Sequence, residues 1–125
     1  MKQLGVDIVS VARIRTLGER YGDRFLQRVY TSSELSACNR ADRWQCLAGR
    51  WAAKEAVIKV LPRGLLPALR EIEIVPGPEG APFPVIRGIP WAGCSLSISH
   101  EREFAVAVAM VIPGEFGGSY ESGDS

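Results

Sequence analysis

The sequence predicts an α+β fold, with a long central helix and shorter helices packed on a small, mainly antiparallel sheet. Three observations lead there. Apolar residues recur at helical spacing through much of the first half of the chain, while short segments in the second half are strand-like, some of them alternating apolar with polar residues. Between them, residues 47–61 read LAGRWAAKEAVIKVL, a mostly apolar helical run broken by charge only at Arg50, Lys54, Glu55 and Lys59. Helices followed by strands joined through tight turns favour antiparallel pairing over alternating strand–helix–strand units.

Taken in order, residues 3–9 are short and β-branched, as a buried strand would be, and they place Asp7 near its end. Ser10 follows as a helix N-cap. Val11, Ile14 and Leu17 then keep helical spacing and leave Arg13, Arg15 and Arg20 to solvent until Gly22 stops the helix. Asp23 caps a further short helical piece through Phe25 and Val29, and Thr31-x-x-Glu34 has the form of a capping box. Asp42 with Gln45 has the same form, so the main helix is expected from there to about Leu61, where Pro62 ends it. Pro62, Gly64 and Pro67 mark a loop. Residues 71–75 alternate charged and apolar side chains as a half-exposed strand does, and Pro76, Gly77, Pro78 and Gly80 make a turn. Residues 83–87 and 95–99 read as short strands, and 104–112 as the strongest strand, with 100–103 turning the last two into a hairpin. One domain is expected over 1–113, and the Gly-, Ser- and acid-rich segment 114–125 is expected to be a disordered tail.

A chain of 125 residues that is 46% hydrophobic can enclose a core, burying about two-thirds of its unfolded surface. A net charge of +1 gives no general polyanion-binding character and weighs against nucleic acid, so an anion site must be local. The cysteines Cys38, Cys46 and Cys94 are odd in number and lack metal-type spacing, and no basic-plus-apolar leader precedes Gly5; a reducing, cytoplasmic setting is expected. No apolar run approaches the ~20 residues that span a bilayer.

On a helix, Arg50 stacks under Lys54 and Glu55 under Lys59. Such a pair alone contributes only about 0.2–0.5 kcal/mol and is ordinary on a solvated face. Two other places change the weighting. Asp7 stands inside the apolar run GVDIV, and Ser99 with the only histidine, His100, stands in LSISH before the run FAVAVAMVI. Polar groups bracketed by core-like sequence are costly to bury unless paired or liganded, and three such places in one small chain point to a common site.

GVDIV, then RWAAKEAVIK, then SISH with the following AVAVA strand, in this order and over residues 5–112, resembles the holo-acyl-carrier-protein synthase family of 4′-phosphopantetheinyl transferases. The W-x-x-K-E-A-x-x-K motif of Trp51, Lys54, Glu55, Ala56 and Lys59 is the most specific part. The resemblance implies transfer of 4′-phosphopantetheine from coenzyme A to a serine of an acyl carrier protein, with Mg²⁺ held by Asp7 and Glu55. Lys59 is expected to orient Glu55 and reach the cofactor phosphates, so Asp7, Glu55 and Lys59 form the expected catalytic set. Arg50, Ser99 and His100 are expected to bind coenzyme A, with Lys54 as either a phosphate contact or a solvated charge. A homotrimer with sites between subunits is implied, as is docking of the acidic carrier on the first helix through Arg13, with Arg20 and Arg24 nearby.

Three positions depart from the family pattern. Pro62, Arg63 and Gly64 stand where a Gly-rich G-T-G loop usually follows the main helix, so Arg63 and Gly64 are expected to replace part of its cofactor contact. EGAP stands where a G-K-P turn is common, and Trp51 replaces a usual Phe. The altered loop leaves open a non-catalytic module that binds carrier protein or coenzyme A, and a plain structural domain would leave Arg50, Glu55 and Lys59 solvated and Asp7 distant.

Overall fold

The structure, a computed structural model, describes residues 3–112, and the expected tail at 114–125 lies outside the described residues. The chain opens with β1 (Leu4–Ser10), followed by α1 (Val11–Tyr21), α2 (Asp23–Val29), α3 (Ser32–Ala37) and α4 (Arg43–Val60). A 3-10 turn at Leu69–Glu71 leads into β2 (Ile72–Pro76), β3 (Pro82–Ile86), β4 (Ile89–Pro90), β5 (Cys94–His100) and β6 (Phe104–Val111). The α+β class holds, but the strands divide into two antiparallel sheets, β1-β6-β5 and β2-β3-β4. Strand β4 is too short to leave a periodic signal. It is made by the turn at Arg87 and Gly88, whose positive φ values of 52° and 85° suit a two-residue hairpin of the primed type.

Helix α4 lies on the β1-β6-β5 sheet. Alternation turns Gly5, Asp7 and Val9 of β1 and Ala105, Ala107, Ala109 and Val111 of β6 toward it. The small side chains let helix and sheet approach closely. At Gly5 a Cβ would stand 2.5 Å from the Ala56 carbonyl oxygen, so only glycine fits. Residues all round α4 are buried, among them Leu47, Ala48, Ala52, Ala53, Lys54, Ala56 and Val57, which makes it a central helix rather than an amphipathic surface one. Among the described residues no helix is long and apolar enough to cross a membrane.

The expected caps are met at two of four places; Asp23 is already the first residue of α2, whose N-cap is Gly22 with no side-chain cap bond. The Ser10 hydroxyl accepts from Arg13 N at 3.2 Å, and Thr31 with Glu34 forms the reciprocal capping box. Asp42 stands at the N-cap of α4 but makes no side-chain cap bond, because its carboxylate accepts from Arg40 Nε at 2.7 Å; Gln45 turns instead to β5. Cys38 and Cys46 are joined in a disulfide that ties the end of α3 to the first turns of α4, a pairing the cysteine count does not predict. Cys94 is a free, buried thiol whose pKa burial pushes up to about 12.

Candidate functional site

The close approach at Gly5 decides what can meet across the β1–α4 contact. Asp7 shares the Gly5 face of β1, and Glu55 immediately precedes Ala56, the residue that Gly5 touches. Lys59, one turn after Glu55, donates from Nζ to the Val6 carbonyl at 2.6 Å and lies 3.6 Å from Asp7 Oδ1. It therefore bridges to β1, where the sequence had it pairing with Glu55. The Glu55 carboxyl is held above its ordinary range, first by burial and then by the negative charge of Asp7, with Lys59 and Arg13 pulling the other way. Two carboxylates close enough to repel, one of them partly buried, form a donor pair that a hard divalent cation would relieve.

A second cluster stands on another face of α4. Arg40, Cys46, Gly49, Arg50, Ile98 and His100 line a cleft of about 230 Å³ together with residues of the smaller sheet. Arg50 Nη1 donates to Cys46 Sγ at 3.2 Å, while its Nε is buried without a hydrogen-bond partner. Burial lowers the Arg50 pKa, and the nearby Arg40 adds to this. A half-desolvated guanidinium with an unpaired donor beside a second arginine is receptive to an anion, for which its planar fork gives bidentate geometry. The His100 ring passes near Gly49, where a Cβ would stand 3.0 Å from Ile98 Cγ2 and 3.6 Å from His100 Cδ2, and its Nδ1 is 3.1 Å from Gln45 Oε1.

The remaining expected site residues fall differently. Lys54 cannot meet a ligand here. It is fully buried, and its ammonium spends its donors on Glu34 Oε1 at 2.7 Å, Leu69 O at 3.0 Å and Ile72 O at 2.7 Å. Reading it as a phosphate contact or a solvated charge is corrected by the enclosure of α4 on nearly every side. Ser99 alternates to the outer, exposed face of the sheet, away from the cleft that His100 lines. Arg63 and Gly64 stand in the exposed turn after α4, outside that cleft, with Gly64 at φ 93°.

On α1 and α2 the arginines do gather. The Arg13 guanidinium sits 5.9 Å from the centroid of Trp51, which stacks at 6.0 Å on Phe25. Arg20 lies over Tyr21, and Arg24 with Leu17, Tyr21, Phe25 and Arg28 lines an apolar groove of about 340 Å³. Arg28 and Arg40 escaped the sequence reading. Arg28 lies one turn after Arg24 and was legible in principle, whereas Arg40 is brought in by the α3–α4 connection. Glu34 was read only as a cap and Gln45 only as half of one; nothing in local spacing assigns their long-range partners.

Fold and clusters together define a small α+β protein with a carboxylate pair and an arginine–histidine cleft on different faces of its central helix. The comparisons give the class its family. The family model of the 4′-phosphopantetheinyl transferase superfamily matches residues 3–109. The holo-[acyl-carrier-protein] synthase of Chlorobaculum tepidum is 41% identical over 115 residues, covering 89% of this chain and 98% of that protein. That of Aquifex aeolicus is 43% identical over 120 residues, covering 86% and 96%. The crystal structure of the Helicobacter pylori holo-[acyl-carrier-protein] synthase in complex with coenzyme A superposes with a TM-score of 0.72 at 33% identity, covering 87% of this chain and 99% of that one. The chain belongs to the 4′-phosphopantetheinyl transferase superfamily.

Proposed function

We infer that the protein is a holo-[acyl-carrier-protein] synthase, moving 4′-phosphopantetheine from coenzyme A to a serine of an apo acyl carrier protein. The observation that carries this is the meeting of Asp7, Glu55 and Lys59 across the β1–α4 contact, on the family's own motifs. In the transfer the serine oxygen bonds to the phosphorus that bears pantetheine, the pyrophosphate bridge breaks, and the adenosine bisphosphate leaves, the hydroxyl proton being lost. This chemistry is mostly electrostatic and positional. Asp7 and Glu55 would hold Mg²⁺, which supplies charge neutralisation at the pyrophosphate. Lys59 holds Asp7 in place, and Arg50, Arg40 and His100 receive the cofactor's anionic groups. The non-catalytic alternative is not favoured, since the acidic pair and Lys59 are all present.

A homotrimer is part of the proposal. Its support is a sheet face that leaves large apolar side chains in water: Leu4 is 61%, Val6 53% and Ile8 64% exposed, with Phe104 and Met110 beside them. Contiguous apolar surface of this kind marks an interaction site. The acidic cluster and the arginine–histidine cleft are separate within one chain, as halves of sites completed by a neighbour would be. The arginine-rich face of α1 and α2, with Arg13, Arg20 and Arg24, is assigned to the acidic carrier protein. A cytoplasmic location belongs to the same proposal.

Subunit complementation tests this reading. Glu55→Gln and Arg50→Ala, each inactive alone, are expected to recover transfer when refolded together, because some mixed sites then combine an intact half from each. Recovery absent from a light-scattering-verified mixed oligomer would contradict sites shared between subunits.

A further inference from the structure

We propose that Gln45 is a positioning residue that fixes the proton of the neutral His100 ring on Nδ1, so that the ring donates to a bound anion through Nε2 only after taking up a second proton. The inference deepens the reading of the arginine–histidine cleft as the place where coenzyme A's anionic groups bind, and rests on it. Gln45 Oε1 lies 3.1 Å from His100 Nδ1. An amide oxygen only accepts hydrogen bonds, so the contact requires Nδ1–H. Gln45 and Gly49 are one turn apart on the same side of α4. Gln45 supplies the acceptor, and Gly49 leaves room for Ile98 Cγ2, which a Cβ there would meet at 3.0 Å, two residues before the ring on β5. Helix capping does not account for Gln45, since the cap bond its sequence position promised is not made by Asp42.

With Nδ1 committed, the neutral ring turns a lone pair, not a donor, to any phosphate oxygen at Nε2. Protonation replaces that lone pair with a charged N–H. Arg40 and Arg50 line the cleft with the ring, Arg15, Asp42 and Arg102 line the neighbouring pocket with Gln45, and Glu101, next in the chain, accepts from Phe104 N at 2.9 Å; β6 opposes the ring with Ala105. An anion held between Arg40, Arg50 and the ring would favour the protonated ring. Anion binding and proton uptake on His100 are thereby coupled, each favouring the other.

His100 is the only histidine in the chain, so imidazole ¹⁵N NMR of the full-length protein reads one ring without assignment. Above its titration the wild-type ring is expected to carry its proton on Nδ1. Gln45→Met should lose that preference, and Gln45→Glu, which keeps an oxygen acceptor, should retain it. In calorimetric titrations with coenzyme A, raising the pH through the ring's titration should cost the wild type about tenfold more affinity than it costs Gln45→Met. The cofactor's own phosphates titrate equally for both proteins and cancel. A wild-type neutral ring protonated on Nε2 overturns the proposal, as does Gln45→Met with an unchanged tautomer and unchanged pH dependence. If His100→Ala binds coenzyme A like the wild type at every pH, the reading of the cleft fails, and the spectrum still decides the tautomer.

Discussion

The Lys54 ammonium and the Glu34 carboxylate lie 2.7 Å apart with both side chains shut off from solvent, and the pair ties α4 to α3 and β2. Glu34 also accepts from Thr31 N at 3.0 Å and Ile74 N at 2.8 Å, so every strong partner is accounted for. Burial lowers the Lys54 pKa, and Glu34 opposes that shift by Coulomb attraction and the hydrogen bond. Removing one member of a buried pair strands the other charge, typically at about 3–5 kcal/mol. Lys54→Met is therefore expected to lose about 3 kcal/mol in urea unfolding, and adding Glu34→Gln should return part of it. Wild-type stability with a raised KM for coenzyme A would put Lys54 back among the ligand contacts.

Glu55 is expected to cost the fold something that binding recovers. Because burial and the charge of Asp7 raise its pKa above the ordinary carboxyl value, the folded state keeps its proton to higher pH than the unfolded chain does. Stability from this group falls as pH rises from the ordinary value through the raised one, and above that the ionised carboxylate remains a standing penalty. Glu55→Gln should then melt at or above the wild-type temperature at neutral pH, while losing transfer. Added Mg²⁺ should raise the Tm of the wild type and not of the variant. Equal Mg²⁺ shifts would remove Glu55 from the metal site.

Gly5→Ala probes the contact that assembles the acidic cluster. A Cβ 2.5 Å from Ala56 O and 3.0 Å from Lys59 Cβ must push α4 off β1. Overpacking of this kind costs about 1–3 kcal/mol. Thermal melting should show that loss, and the Mg²⁺-induced Tm shift should shrink with it; a variant with unchanged stability would mean the helix is not seated on the strand as described.

Reduction of Cys38–Cys46 is a fourth test. The bond spans a sequence separation of 8, for which loop entropy predicts about 2–3 kcal/mol. A dithiol that passes two electrons to the disulfide should lower the Tm and expose two more cysteines to alkylation under denaturing conditions. An unchanged Tm after full reduction would show that the bond does not hold α3 to α4.

Much of this fold was legible because its signals are local. Ser10, Thr31 and Glu34 act as caps as their spacing implies, and Pro62 ends α4 within a residue of where the pattern breaks. The division into two sheets was not legible, since strand partnership is set by packing rather than by periodicity. Lys54 shows the same limit more sharply. Four-residue spacing put it on a charged stripe with Arg50, but α4 is buried over most of its circumference, and so narrow a solvent face gives little orientation from spacing alone. Asp7 and Glu55 were joined only by the family pattern, as nothing local links residues so far apart. Gln45 read as half of a capping box because local form was satisfied twice over, and only β5, brought alongside late in the chain, decides which partner wins.

The most direct measurement is intact-protein mass spectrometry of an apo acyl carrier protein incubated with this protein, coenzyme A and Mg²⁺. The carrier is expected to gain one phosphopantetheine on its serine with the wild type, and none with Asp7→Asn, Glu55→Gln or a metal chelator present. A carrier panel left unmodified by a folded protein that binds coenzyme A, or modification at the wild-type rate by Glu55→Gln, would contradict the account.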